Sequence, residues 1–406
     1  PRLNLTASSE TLNNRVEELF AAWCRAVNLA ELLRTMRQSR RQDGESFCLL
    51  VSNPGVEDPV KLGLRLIEAD QVATFDLPVD TSRIDGIRFD SWGNVQAYDI
   101  LRQHPGGLVH DAPTQYDIWP ARYVLHWFRP RRSGQHRGIP EIVPALPLYA
   151  TLRRYTQATL DAAESVADMA VLLHTQSGAE FEDDDGNQNP EAFSPFSSVP
   201  FQRRMMVALP QGYDATQIKP EQPTQQYSNF KREVAGEIGR CENVSRNVVL
   251  LDSSESNFAS GQLDHKITYR QHDIDRDTAG IVLMDRIFRA WLDEASLVNG
   301  YLPSAVRRDA GSSAPLPPHA WHWDSNELGD LLKLAKAKAE ELRCGLASLP
   351  ALYAAKGQDW TKALTLAARG YGISEQELQA LIRQSIFGGQ KQTNDADDEE
   401  EARPPK

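Results

Sequence analysis

Hydrophobic positions along this chain change their period several times, and each change marks a new element. Between residues 8 and 42 the spacing is helical. Val16, Leu19, Phe20 and Trp23 recur at i, i+3, i+4 and i+7, the stripe of an amphipathic helix, and Ser8 or Ser9 with Thr11 supplies N-cap chemistry. A second helix is predicted from Asn28 to Arg41, with Leu29, Leu32, Leu33 and Met36 on one face. Arg34, Arg37, Arg40 and Arg41 fall largely off that face and read as a solvated basic surface. From Glu45 to Phe128 the period becomes that of strands. Ser46–Val51 is a short apolar run stopped by Asn53-Pro54-Gly55, Leu64–Ile67 is another, and Tyr123–Phe128 closes the set. Residues 84 to 100 read as one hairpin around Ser91-Trp92-Gly93-Asn94.

Beyond Phe128 comes an Arg/Gly/Pro turn, and then helical spacing returns. Leu148 to Leu173 is predicted as a long helix whose Thr, Ala and Ser positions suit close packing on several sides. Residues 174 to 225 are loop-rich, with an acidic cluster from Glu180 to Asp185 and a strand candidate at Arg203–Leu209. Helix resumes from Tyr227 to Asn243. Val248–Leu251 then steps into the polar run Asp252-Ser253-Ser254-Glu255-Ser256-Asn257, which can cap a further helix from Ala259 to Ala295. Ile267, Ile274, Ile281, Leu283, Ile287, Phe288, Trp291 and Leu292 are assigned to the core side of that helix. A Pro- and Ser-rich linker spans 303 to 318, two or three helices follow from 326 to 386, and an acidic tail runs from Gly388.

Bulk properties add limits. A chain of 406 residues implies two or three folding units. No apolar run is long enough for a membrane span, and Pro1-Arg2-Leu3-Asn4 carries neither a signal-peptide core nor an initiator Met, which points to a processed or truncated chain. The net charge of −12 argues against a tight, sequence-reading DNA binder. It does not exclude contact with DNA, so the charge alone decides neither way. Cys24, Cys48, Cys241 and Cys344 are scattered, which fits neither a disulfide framework nor a zinc site.

Catalytic motifs are missing: there is no phosphate-cradling G-x-x-x-x-G-K-[ST], no G-x-S-x-G and no H-E-x-x-H. No cofactor is expected. His319 and His322 follow Pro317-Pro318 and read as a structural Trp/His patch, and Asp183-Asp184-Asp185-Gly186 lacks the ligand spacing of a calcium loop. Asp273, Asp275 and Asp277, with Glu255 and Asp264, are the residues a metal-dependent nuclease would use, but on a helix the three aspartates fan apart. A monomeric scaffold or adaptor is a further alternative, for which the acidic tail and linker would be typical. Arg129, Arg131, Arg132, His136 and Arg137 crowd the turn before the long helix. Two readings stand for them: contact with DNA or a neighbouring subunit, and a solvated turn with Arg stems packed on Trp127 and Phe128.

His126-Trp127-Phe128 followed by Arg129–Pro140 resembles the H-x-F-x-P-x-R-x-G-Q-x-R-G-x-P-like stretch of lambda-type phage portal proteins. Further segments resemble the family in the same order. They are Asp43-Gly44-Glu45-Ser46-Phe47, Leu66–Val72, Gly86–Asp90 with Gly93 and Ala97-Tyr98, Leu209–Gly212, Asn257-Phe258-Ala259-Ser260 and Trp291–Ala295. The likeness spans roughly residues 10 to 385. It departs from the pattern at Ala259, where the family usually has Ser, and at Gln262-Leu263; family members also carry more chain before the point matching Pro1.

The resemblance implies an α+β portal fold with a β-rich wing, long stem and wing helices, a clip excursion and a helical crown. The boundaries it suggests are N-terminal helices and wing 1–147, stem helix 148–173, clip 174–226, second stem helix 227–244, tunnel loop 245–258, long wing helix 259–302, linker 303–325, crown 326–387 and tail 388–406. It also implies a ring of about twelve copies at one capsid vertex around a DNA channel. On that basis Asp252, Ser253, Ser254, Glu255, Ser256 and Asn257 are the candidate channel residues. Glu180, Glu182, Asp183, Asp184, Asp185, Arg203 and Arg204 are candidates for docking the terminase or an adaptor. Arg129, Arg131, Arg132 and Arg137 are candidates for contact with DNA or the next subunit. The partners implied are double-stranded DNA, the terminase large subunit, a head-completion protein, and the major capsid and scaffold proteins, with no membrane. The place implied is the virion, assembled in the host cytoplasm.

Overall fold

The computed structural model describes residues 1–6, 9–74, 82–107, 115–168, 171–175, 213–217, 225–254, 256–308, 314–324, 331–356 and 358–387. The chain divides into two compact units, one formed by residues 1–141 and 256–406 and the other by 142–255.

The first unit begins with β1 (Arg2–Leu5), α1 (Glu10–Ala26) and α2 (Leu29–Gln42), the two helices that hydrophobic spacing predicts. Next come β2 (Glu45–Ser52), β3 (Leu62–Ile67), β4 (Arg83–Ile84), β5 (Ile87–Phe89), β6 (Val95–Leu101), β7 (Tyr116–Pro120) and β8 (Val124–Phe128). They form an antiparallel sheet of order β3-β2-β8 and a second of order β4-β5-β6-β7. β2 is buried on both faces, which is why its sequence is a continuous apolar run. Cys48 and Leu50 join a large core with Val16, Phe20 and Trp23 of α1 and with Leu283, Phe288 and Trp291. Phe47 and Leu49 point the other way, into a smaller core with Ile67, Ile87, Tyr98 and Ile100.

Two local expectations change in this region. The single strand read from 84 to 90 is broken by a two-residue turn at Asp85-Gly86, with φ of 47° and 79°. Ile84 therefore pairs with Ile87, the short Asp-Gly connection that favours hairpins. The basic face of α2 is not all solvated. Arg40 is only 1% exposed, lies over the Trp127 ring at 4.4 Å, and reaches Glu141 and Asp275 at 2.8 and 2.7 Å. Arg37 meets the same carboxylates at 3.0 and 3.2 Å. Burial of this guanidinium is tolerable because two carboxylates meet it, and both come from far along the chain.

The long helix after the polar loop is α6 (Phe258–Ala279), a π-helical turn over Gly280–Met284, and α7 (Asp285–Leu297). Its second half is core, with Ile287, Phe288, Trp291 and Leu292 buried. Its first half is not: Ile267, Ile274 and Ile281 are 60%, 46% and 69% exposed, so their assignment to the core side is overturned. β11 (His319–His322) pairs with β1, a contact between segments far apart in sequence that periodicity could not foresee. His319 Nε2 and Trp321 Nε1 both meet Asp285 Oδ1, at 3.1 and 2.7 Å, so the Trp/His patch is structural. Among the described residues the C-terminal region holds four helices: α8 (Leu331–Arg343), α9 (Leu349–Ala355), α10 (Trp360–Tyr371) and α11 (Glu375–Phe387).

In the second unit α3 covers Leu146–Asp168. Val171–Leu173, expected to end that helix, belong instead to a strand, β9 (Val171–Thr175). Its partner is β10 (Tyr213–Gln217), with Val171 opposite Gln217 and Thr175 opposite Tyr213. The excursion predicted between the two helices thus leaves and returns through a strand pair. The chain re-enters helix at α4 (Gln225–Cys241) and α5 (Arg246–Leu250). Ala145, Val234 and Ile238 form the unit's small core, and Tyr155 stacks on Tyr227 with ring centroids 5.7 Å apart.

Candidate functional site

The basic turn is built on a carboxylate. Glu45, the first residue of β2, is 3% exposed, accepts three hydrogen bonds and makes one further ion-pair contact. Arg137 Nε and Nη2 reach its Oε1 at 2.7 and 2.6 Å. His126 Nε2 and the Gly138 N–H reach its Oε2, each at 2.9 Å. Burial raises the Glu45 carboxyl, but the bonds from His126 and Arg137 outweigh it and the group ends below its ordinary value. His126 moves down, because burial outweighs the neighbouring carboxylate. A charged carboxylate can only accept, so the neutral imidazole carries its proton on Nε2. Its ring is stacked between Phe47 at 4.2 Å and Phe128 at 4.5 Å.

Backbone geometry closes the lock. Gly44 has φ of +92°, and a Cβ there would lie 2.5 Å from the carbonyl carbon of Ile139. A Cβ on Gly138 would lie 2.1 Å from the Gly44 oxygen. Only glycine lets the two segments cross so closely. Arg137 also donates to the carbonyls of Val72, Asp85 and Ala69 at 2.7, 2.6 and 3.2 Å. Gln135 holds the turn's shape, accepting from the Arg131 N–H and donating to the Arg137 carbonyl, both at 2.8 Å. The structure therefore separates the four candidate arginines. Arg137 is engaged within its own chain, whereas Arg129, Arg131 and Arg132 are exposed.

The polar loop is the second candidate site. α5 ends at Leu250 and is capped by Leu251, which takes a left-handed backbone (φ 52°) and is 91% exposed. Asp252 Oδ1 accepts from the Ser254 N–H at 2.9 Å, and its Oδ2 meets Arg232 of α4 at 3.1 Å. Chiefly through the Ser254 backbone bond, its carboxyl sits below the ordinary value. Ser253 and Ser254 are exposed and Ser256 half-buried. Asn257 is the α6 N-cap, accepting from the Ser260 N–H at 2.8 Å, which the predicted helix start requires. Glu255 lies outside the described residues, as do Glu180, Glu182, Asp183, Asp184, Asp185, Arg203 and Arg204.

Leu251 was missed by the sequence reading. Four apolar residues in a row, Val248–Leu251, were its only trace, and which of them turns outward depends on where α5 ends.

Among the described residues no three His, Cys, Asp or Glu side chains gather as a metal site would need, and no helix is long and apolar enough to cross a membrane. Asp275 is held by Arg37 and Arg40, so it is an ion-pair partner.

The family profile described as "Phage portal protein, lambda family" matches residues 1–272, taking in both halves of the Glu45 lock and the whole polar loop. This chain belongs to the lambda family of phage portal proteins. Among curated proteins none matches it. Among solved structures it is similar to a chain in the neck of a native GTA particle computed with C12 symmetry, with TM-score 0.40, 16% identity, and 81% of this chain and 80% of that one covered. It is also similar to a chain in the neck of an empty GTA particle computed with C6 symmetry, with TM-score 0.42, 13% identity and coverage of 88% and 85%. A third likeness is to a chain of the virion of a native gene transfer agent particle, with TM-score 0.35, 15% identity and coverage of 78% and 76%. These superpositions are partial, and the family assignment rests on the sequence. Two of the stretches that carry the family resemblance, Asp43–Phe47 and His126–Pro140, are the two sides of one interlock.

Proposed function

We propose that this portal chain is the repeating subunit of a ring at one vertex of a phage capsid. About twelve copies would enclose a channel for double-stranded DNA during packaging and ejection. The family match over residues 1–272 is the observation that carries this reading. The role is mechanical: a separate terminase ATPase drives the DNA, and the ring supplies a docking surface, a channel and later a valve. In this reading residues 1–147 and 259–302 form the wing, α3 and α4 the stem, 174–226 the clip and 326–387 the crown. The ring sits in the virion after assembly in the host cytoplasm, and the major capsid and scaffold proteins surround it.

The loop from 245 to 258 faces the channel. Asp252, Ser253, Ser254, Glu255, Ser256 and Asn257 offer small or acidic groups that let phosphates pass without a lasting grip, and exposed Leu251 stands at its start. The clip, with Glu180, Glu182, Asp183, Asp184, Asp185, Arg203 and Arg204, docks the terminase large subunit and later a head-completion protein. Arg129, Arg131 and Arg132, held outward by the lock beneath them, are the part of the basic turn free to meet DNA or the next subunit. The test is DNA packaging and retention in particles built with residues 252–254 and 256 changed to Ala. Impaired packaging or leakage of packaged DNA is expected, and normal packaging with normal retention would overturn the loop assignment.

A further inference from the structure

The first half of α6 is a helix without enough core. Among residues 259–274 only Thr268 is buried, and a helical stretch of this length is marginal in water unless a packed face supports it. Apolar side chains are there but uncovered: Leu263, Ile267 and Ile274 of α6 are 59%, 60% and 46% exposed, and Ile281, in the π-helical turn that continues it, is 69% exposed. At 100° per residue the four fall within about 40° of one another and run for about 27 Å along the helix. Their spacing of four, seven and seven residues is that of a seam whose knobs enter the holes of another helix.

The same face decides what kind of surface covers it. Exposed Arg270 and Asp277 lie beside the aliphatic row. A lipid surface would have to take both charges into an apolar layer. A nucleic acid would meet branched aliphatic side chains and an acidic residue where it needs cations. A protein surface carrying both apolar and charged groups fits.

We propose that this face of α6 is a subunit–subunit seam, packing against a helix of a second copy of this chain. The inference rests on the ring reading above, since a ring needs contact surfaces that every copy carries. The area supports it. Four such side chains make a patch of a few hundred Å², which soluble surfaces rarely expose without use. That is roughly half of the ~800 Å² each partner contributes to a standard interface, so the stripe is the apolar centre of a larger contact.

The experiment uses the full chain with benzoylphenylalanine at position 274, irradiated after assembly, alongside an Ile267→Asp/Ile274→Asp double variant. Ring formation is followed by native mass spectrometry and negative-stain imaging, and folding by circular dichroism. A ladder of chain-to-chain crosslinks is expected, with ring yield at least tenfold lower in the double variant and an unchanged melting temperature, because both positions are exposed in the single subunit. Wild-type rings with no crosslink between copies, or rings from the double variant at wild-type yield, would overturn the seam and leave the ring reading standing. A wild-type chain that forms no ring overturns both.

Discussion

Replacing Glu45 by Gln tests whether the interlock of the two family stretches holds the β-rich unit together. The buried carboxylate accepts three hydrogen bonds, one each from Arg137 Nε, His126 and Gly138, and is also ion-paired with Arg137 Nη2. The amide keeps one acceptor oxygen, and if that oxygen stays with Arg137, its NH₂ confronts two donors. Imidazole can answer by moving its proton to Nδ1, which faces the Tyr98 hydroxyl at 3.4 Å; the Gly138 N–H has no such choice. A buried donor left unpaired costs about 1–3 kcal/mol, and the Arg137 bonds weaken from charged to neutral strength, about another 1 kcal/mol. The sum is about 3 kcal/mol, a fall in melting temperature of about 6–12 °C for a unit of this size.

Thermal and urea unfolding followed by near-UV circular dichroism would measure it. The pH dependence supplies a second check. Glu45's carboxyl is lower folded than unfolded, so its contribution is whole above the ordinary glutamate range and is lost as pH falls through the folded value. The gap between wild type and Glu45→Gln should be flat near neutrality and narrow in acid. A loss below about 1 kcal/mol at pH 7, or a gap that widens in acid, would refute the reasoning.

Three further variants each change a single position. Gly138→Ala places a Cβ 2.1 Å from the Gly44 oxygen and should cost well over 3 kcal/mol, seen as loss of soluble protein. Gly93→Ala, with φ +83° but nothing within 4 Å, should cost only about 1–2 kcal/mol of backbone strain; equal losses at the two sites would contradict the close-crossing account. Asp275→Ala leaves the buried Arg40 with Glu141 as its remaining carboxylate, so a loss of about 2–4 kcal/mol in urea unfolding is expected. The same variant speaks to the nuclease alternative: magnesium-dependent DNA cleavage by the wild type that vanished in Asp275→Ala would revive it.

Much of this protein was legible in one dimension. Helix and strand periods located α1, α2, β2, β3, β8 and α4 to within a few residues, because each buries a face along one continuous run. The family resemblance was legible too, since its segments recur in order whatever they do in space. The roles of charged residues were not legible. Arg40 and Arg37 sit on one helix and look alike in sequence, yet Arg40 is buried because Glu141 and Asp275 arrive 101 and 235 residues later. Arg137 looked like its neighbours Arg131 and Arg132, and its distinct place depends on Glu45, 92 residues earlier. Ile267, Ile274 and Ile281 had the spacing of a core stripe, but whether that stripe meets a core depends on what packs beside the helix, and among the described residues all three are exposed. Local sequence determines where a side chain lies on its own element. Burial and ion pairing depend on which distant segments the fold brings against it, and only the tertiary structure decided those.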